Sequence, residues 1–75
     1  MAVKVNLITM QNCGLCFRLK SLLKQKNVEF NEYPMESEEG LRILKKTQMR
    51  DFPIMEDEVG NVYSGRNAVI HANGY

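Results

Sequence analysis

The chain has 75 residues, ten basic and nine acidic, for a net charge of +1, with two cysteines and no tryptophan. That length means a single domain, residues 1–75, near the roughly 70–80 residues at which burial only just outweighs chain entropy. Apolar residues at 44% and charged residues at 25% argue against disorder and a coiled coil. The near-neutral charge disfavours a nucleic-acid binder, and apolar runs as short as Leu7-Ile8 or Ala68 to Ile70 disfavour a membrane span.

Val3, Val5 and Leu7 alternate with Lys4 and Asn6, and Ile8 and Thr9 continue the run, so residues 3–9 read as a first strand. Lys4 and Asn6 also interrupt the apolar stretch a secretory leader needs, which makes the cytoplasm the expected compartment. From Gly14 to about Lys26, Leu15, Leu19, Leu22 and Leu23 recur at i, i+4, i+7 and i+8, which predicts an amphipathic helix. Val28 to Tyr33 shows period two and predicts a second strand that Pro34 stops. Ser37 suits an N-cap, Glu38 and Glu39 the first turn, Leu41 and Leu44 an apolar stripe, and Lys45 and Lys46 the last turn of a helix over 37–48.

Phe52 to Met55 and Val59 to Tyr63, joined by a turn through Asp57, Glu58, Gly60 and Asn61, read as a β-hairpin. Gly65 ends it, and Asn67 is placed to cap a last helix carrying Ala68, Val69, Ile70 and Ala72. The order is β-α-β-α-β-β-α. A right-handed crossover makes the first two strands parallel, and the hairpin completes a mixed four-stranded sheet. Charge is uneven along the chain: the first third is basic, from Lys4 to Lys26, and Glu29 to Glu39 is acidic.

Cys13-Gly14-Leu15-Cys16 falls at the junction of the first strand and first helix, where C-x-x-C signals thiol redox chemistry. At a helix N-terminus, unpaired amides and the positive dipole end stabilise a thiolate, lowering its pKa from about 8.5 toward roughly 3.5–7.5. Cys13 is therefore the expected nucleophile and Cys16, one turn on, the resolving thiol. Inert buried cysteines and half a zinc site are the competing readings. Zinc lacks its remaining ligands, because only His71 adds a nitrogen donor, and a histidine on a short polar C-terminal segment is expected to be solvated. Arg18 and Lys20 offer positive charge for anion or partner docking, or simply a solvated helix face.

These features resemble the glutaredoxin family of the thioredoxin fold over nearly the whole chain. Phe17-Arg18-Leu19-Lys20 looks like the family's x-R-A-K run, and Thr47-Gln48-Met49-Arg50-Asp51-Phe52-Pro53 resembles its T-G-Q-R-T-V-P segment. The resemblance implies an α/β thioredoxin-like fold, a cis-proline at Pro53, and backbone hydrogen bonds from Phe52 to a bound peptide or glutathione. Ser64-Gly65 resembles the Gly-Gly or Ser-Gly before the family's last helix, where backbone approaches the ligand. Leu15, Arg50, Phe52, Pro53, Ser64, Gly65, Arg66 and Asn67 are the substrate-binding residues so implied.

Three departures bear on the substrate. Leu15 replaces the tyrosine of the usual C-P-Y-C, no lysine occupies positions 10 to 12, and Asn67 stands where an acid often binds glutathione's amino group. Together with Ser64-Gly65 and the run Arg50 to Pro53, these look more like the redoxins that donate electrons to ribonucleotide reductase and are reduced by thioredoxin reductase. The expected function is that of a monomeric dithiol-disulfide oxidoreductase with no metal or bound cofactor, using the Cys13-Cys16 disulfide, with thioredoxin reductase or glutathione as reductant. An iron-sulfur-binding glutaredoxin, suggested by partial similarity of Cys-Gly-Leu-Cys to Cys-Gly-Phe-Ser, is one alternative. A Cu(I)-transfer module is another, although Met10 lies one residue too early for the M-x-C-x-x-C such modules resemble.

Overall fold

The structure, a computed structural model, describes residues 4–75, so Val3 of the expected first strand lies outside the described residues. The element order matches the sequence reading: β1 (Lys4–Thr9), α1 (Gly14–Gln25), β2 (Glu29–Pro34), α2 (Glu38–Thr47), β3 (Ile54–Glu56), β4 (Val62–Ser64) and α3 (Arg66–Asn73). The strands form one mixed sheet in the order β2-β1-β3-β4, with β1 parallel to β2 and the other pairs antiparallel. The architecture is therefore α/β, a four-stranded mixed sheet with flanking helices. No helix among the described residues is long and apolar enough to cross a membrane.

The central strand β1 is buried on both faces from Leu7 onward, Lys4 being exposed and Asn6 half-buried. Val5 and Leu7 pack with Leu19 and Leu23 of α1 and with Ala68 and Ala72 of α3, while Ile8 packs with Ile43 of α2 and Ile54 of β3. The helices thus form two layers, α1 with α3 on one side and α2 on the other. Small side chains at Ala68 and Ala72, one turn apart, let α3 lie close to α1.

Element boundaries depart from expectation for local hydrogen-bonding reasons. Val28 closes α1 rather than opening β2: Asn27 is left-handed at φ 59°, its N–H donates to the Lys24 carbonyl at 3.1 Å, and the Val28 N–H donates to that of Leu23 at 2.9 Å. This is a Schellman closure. Pro34 stays within β2. The Met35 N–H donates to the Thr9 carbonyl at 2.9 Å, so alternation puts the Pro34 nitrogen on the open side of this edge strand, where no ladder bond is lost.

Ser37 caps α2, its Oγ accepting the Gly40 N–H at 3.1 Å. Gly40 has to be glycine, because a Cβ there would stand 2.5 Å from the Pro34 carbonyl oxygen. Leu41, expected in the buried stripe, is 50% exposed, and Ile43 fills the core instead. β4 starts at Val62 rather than Val59, because Asp57 Oδ1 accepts the Val59 and Asn61 amides at 3.1 and 2.8 Å and curls residues 57–61 into the turn. Gly65, not Asn67, is the N-cap of α3.

Glu56, 8% exposed, ties α2 to the sheet. Its carboxylate accepts from Asn6 at 3.2 Å and pairs with Arg42 and Lys46, each at 3.3 Å. Burial pushes this carboxyl up, but the hydrogen bonds from Asn6, Lys46 and Arg42, with the Arg42 charge, hold it below its ordinary 4.5. A folded value below the unfolded one means that the cluster's contribution is complete above about pH 4.5 and is lost as pH falls through the folded value. The variant Glu56→Gln is therefore expected to lose about 1–2 kcal/mol of stability at pH 7, and the loss should shrink on acidification. A pH-independent difference in denaturation midpoint would show that charge is not what the cluster contributes.

Candidate active site

β1 delivers the chain to the site. After Thr9, residues 10–12 turn, with Asn12 at φ 58°, and Cys13 becomes the N-cap of α1. Cys13 is extended, at φ −107° and ψ 105°, and its Sγ accepts the Cys16 N–H at 3.1 Å. That N–H is one of the donors a helix start leaves without a partner, so the sulfur takes the place of a capping oxygen. The positive end of the α1 dipole lies at the same atom and favours negative charge on it. Cys13 and Cys16 are joined in a disulfide with their Cα atoms 5.2 Å apart. Cys16 is buried, at 3% exposure, and Cys13 is half-buried.

The end of β1 is held beside α1 by a polar network. Thr9 Oγ1 donates to Glu32 Oε2 at 2.9 Å, and Lys20 Nζ donates to the same oxygen at 3.1 Å. Burial raises the Glu32 carboxyl, but the Lys20 and Thr9 hydrogen bonds and the Lys20 and Lys24 charges outweigh it and leave the value lowered. Lys20, considered above for docking, is thus engaged within the fold.

The second wall comes from the segment before β3. Ile8 pairs with Ile54 in antiparallel register, so this segment reaches the end of the sheet at which β1 hands over to Cys13. The Phe52-Pro53 peptide bond is cis, and Pro53 is fully buried. The Gly65 N–H donates to both the Asp51 carbonyl, at 3.0 Å, and the Pro53 carbonyl, at 2.9 Å. These two acceptors flank Phe52. Among the described residues, neither the N–H nor the C=O of Phe52 has an internal partner, so both are free to pair with an extended ligand.

A groove of about 380 Å³ lies here, lined by Leu15, Asp51, Phe52, Ser64, Gly65, Arg66 and Asn67. Six of the residues implied for substrate binding therefore come together, and Leu15 connects the groove to the cysteines. Pro53 does not line it and is buried. Arg50 does not line it; this side chain borders a separate surface cleft with Leu41, Leu44, Lys45 and Gln48 of α2 and its C-cap. Asp51, absent from the sequence-derived set, lines the groove in its place. Its signal was its position two residues before Pro53, in the run that carried the family resemblance. His71 is not simply solvated: it stacks on Tyr63 with ring centroids 4.0 Å apart and meets Tyr75 edge-on at 5.2 Å.

No family model and no curated relative matches the chain. Among solved structures, it is similar to the crystal structure of the thioredoxin-like protein BC3987, with 21% identity and a TM-score of 0.72 over 91% of this chain and 97% of that one. A mutant of the same protein aligns at 22% identity and a TM-score of 0.70, over 81% and 84% of the two chains. The likeness establishes a thioredoxin-like fold. That fold with a C-x-x-C disulfide at the start of α1 points to a redox function.

Gly65 packs closely against Asp51 within the groove. At φ 56° and ψ −130° it has a backbone that side-chain-bearing residues avoid, and an added Cβ would lie 3.2 Å from the Asp51 Cβ. Replacement by alanine is expected to cost about 1–3 kcal/mol of stability, read from the denaturation midpoint. A midpoint equal to that of the native chain would show that the loop relaxes freely.

Proposed function

We propose that this chain is a small dithiol-disulfide oxidoreductase of the glutaredoxin or redoxin type that reduces disulfides in proteins. The observation that carries the reading is the disulfide itself: a half-buried sulfur at the N-cap of α1, bonded to a buried one a turn later, beside a groove with free backbone at Phe52. In the reduced protein, the Cys13 thiolate attacks one sulfur of the substrate disulfide. A Cys13–substrate disulfide forms, and the other substrate sulfur leaves as a thiolate that takes a proton from water. Cys16, having given its proton to water, then attacks Cys13 Sγ, closing the Cys13-Cys16 bond and releasing the second substrate sulfur as a thiolate that takes a proton from water. The substrate gains two electrons and the protein loses two, which the reductant restores.

The asymmetry between the cysteines supports these roles. Cys16 is too buried to meet a protein substrate but lies within bonding reach of Cys13. Replacing Cys13 by serine is expected to abolish disulfide reduction. Replacing Cys16 by serine should leave a mixed disulfide on Cys13 that accumulates and is detected by intact mass. Trapping through Cys16 in the Cys13 variant would reverse the assignment.

The reading extends to the reductant and the substrate. Leu15 and Asn67 line the groove at the positions where the family resemblance expects a tyrosine and an acid, and no lysine occupies positions 10 to 12. Two weakened contacts at about 1 kcal/mol each lower glutathione affinity by more than tenfold. Thioredoxin reductase is then the favoured reductant, and a protein such as ribonucleotide reductase the favoured acceptor. NADPH consumption with one disulfide substrate should be faster through thioredoxin reductase than through glutathione and its reductase at matched electron flux. Equal or faster recycling by glutathione would replace the redoxin reading with that of an ordinary glutaredoxin.

A further inference from the structure

The groove at Phe52 and Gly65 does not end at α3. A second cleft of about 360 Å³ adjoins it beside the edge strand β4, and Ser64 and Asn67 line both. The lining changes character across that shared rim. The first groove carries Asp51 and Arg66; the second has no acid, lysine or arginine and is lined by Met49, Val62 and Ile70 together with Tyr63 and His71. Met49 and Val62 are half-buried against the Ile8, Ile43 and Ile54 cluster, so their positions are fixed by the core. Ile70 is 68% exposed. It therefore adds little to the core, yet presents a large apolar surface one helical turn from Asn67.

We infer that this cleft is a specificity seat that receives one apolar side chain of an extended substrate segment whose cysteine is engaged at Cys13. The inference rests on the oxidoreductase reading and names the class of disulfide that the site prefers. Three observations converge on a peptide as occupant. The cleft shares Ser64 and Asn67 with the groove, the backbone of Phe52 is free to pair with an extended chain, and β4 is an edge strand whose outward N–H and C=O groups are unpaired by the sheet. A second copy of the chain fits poorly, because a three-residue edge offers far less than the roughly 800 Å² per partner of a stable interface. The step between the clefts is short. Asn67 to Ile70 spans about 4.5 Å of helix rise, which two residues of extended chain cover at about 3.3 Å each. The apolar side chain accordingly stands about two residues from the segment bound in the groove. Small charged disulfides do not reach the seat, so protein disulfides flanked by an aliphatic residue are favoured over them.

The test uses the native protein with its recycling system and three probes. One is hydroxyethyl disulfide; the others are peptide disulfides that carry leucine or aspartate at one variable position, set in turn from one to four residues on either side of the cysteine. The leucine peptide is expected to exceed the aspartate peptide about tenfold in kcat/KM at one of these positions, through KM rather than kcat. In Ile70→Ser the ratio of the two peptides should fall to within about twofold, and Ile70→Leu should restore it. A leucine preference that survives in Ile70→Ser, or its absence at every position in the native protein, overturns the seat while leaving the oxidoreductase reading intact. Failure to reduce hydroxyethyl disulfide as well as the peptides overturns both. A concentration-dependent mass that Ile70→Ser abolishes would assign the cleft to a second copy and overturn the proposal too.

Discussion

Burial of β1 on both faces is the constraint on which the other features depend. A strand that presents Val5 and Leu7 to one helical layer and Ile8 to the other cannot shift by one residue without exchanging the side chains that face the two layers. Its register with β2 and β3 is thereby fixed. The end of β1 then determines where Cys13 begins α1, and the Ile8-Ile54 pair determines where the Phe52-Pro53 segment crosses the same end of the sheet. The two halves of the site, 40 residues apart in the chain, are aligned by the packing of one strand.

Around the cysteines, the candidate site is shaped by backbone groups that the regular elements leave unpaired. A helix start exposes amide donors, and the Cys13 sulfur accepts one of them. The Asp51–Pro53 loop is clamped by a single donor, the Gly65 N–H, which occupies the carbonyls on either side of Phe52 and leaves the Phe52 backbone open. Glycine at 65 serves two ends at once. It permits the positive φ at the start of α3, and it lets that N–H approach the loop without a side chain between them.

The uneven charge along the chain is resolved in three dimensions. Basic α1 lies beside acidic β2, where Lys20 pairs with Glu32 at 3.1 Å, and the basic end of α2 meets Glu56 of β3 through Arg42 and Lys46. Partly exposed pairs such as the first contribute little each. The Glu56 cluster differs because its carboxylate is buried and fully engaged, so it orients α2 on the sheet. Blocks of opposite sign in the sequence thus fall on neighbouring elements here.

The sequence by itself determined the elements and the reactive pair. Period-two runs and i, i+4 leucines depend on local geometry, and the place of Cys13 just before a helical pattern was enough to put it at the N-cap of α1. The ends of elements were less legible, because the Asn27 closure, the Asp57 turn and the Gly65 cap are settled by hydrogen bonds between residues that propensity does not pair. Only the tertiary structure decided that Arg50 leaves the groove while Asp51 enters it. The two are neighbours in one motif, yet Arg50 borders a cleft at the C-terminus of α2, and Asp51 is held to Gly65 at the end of the adjacent strand β4. It also decided that Leu41 and Ile70 stay exposed while Ile43, Ala68 and Ala72 are buried. An apolar stripe on a helix shows that one face will be covered, but which residues it includes depends on the angle at which that helix meets the sheet, and that angle is set by contacts distant in the chain.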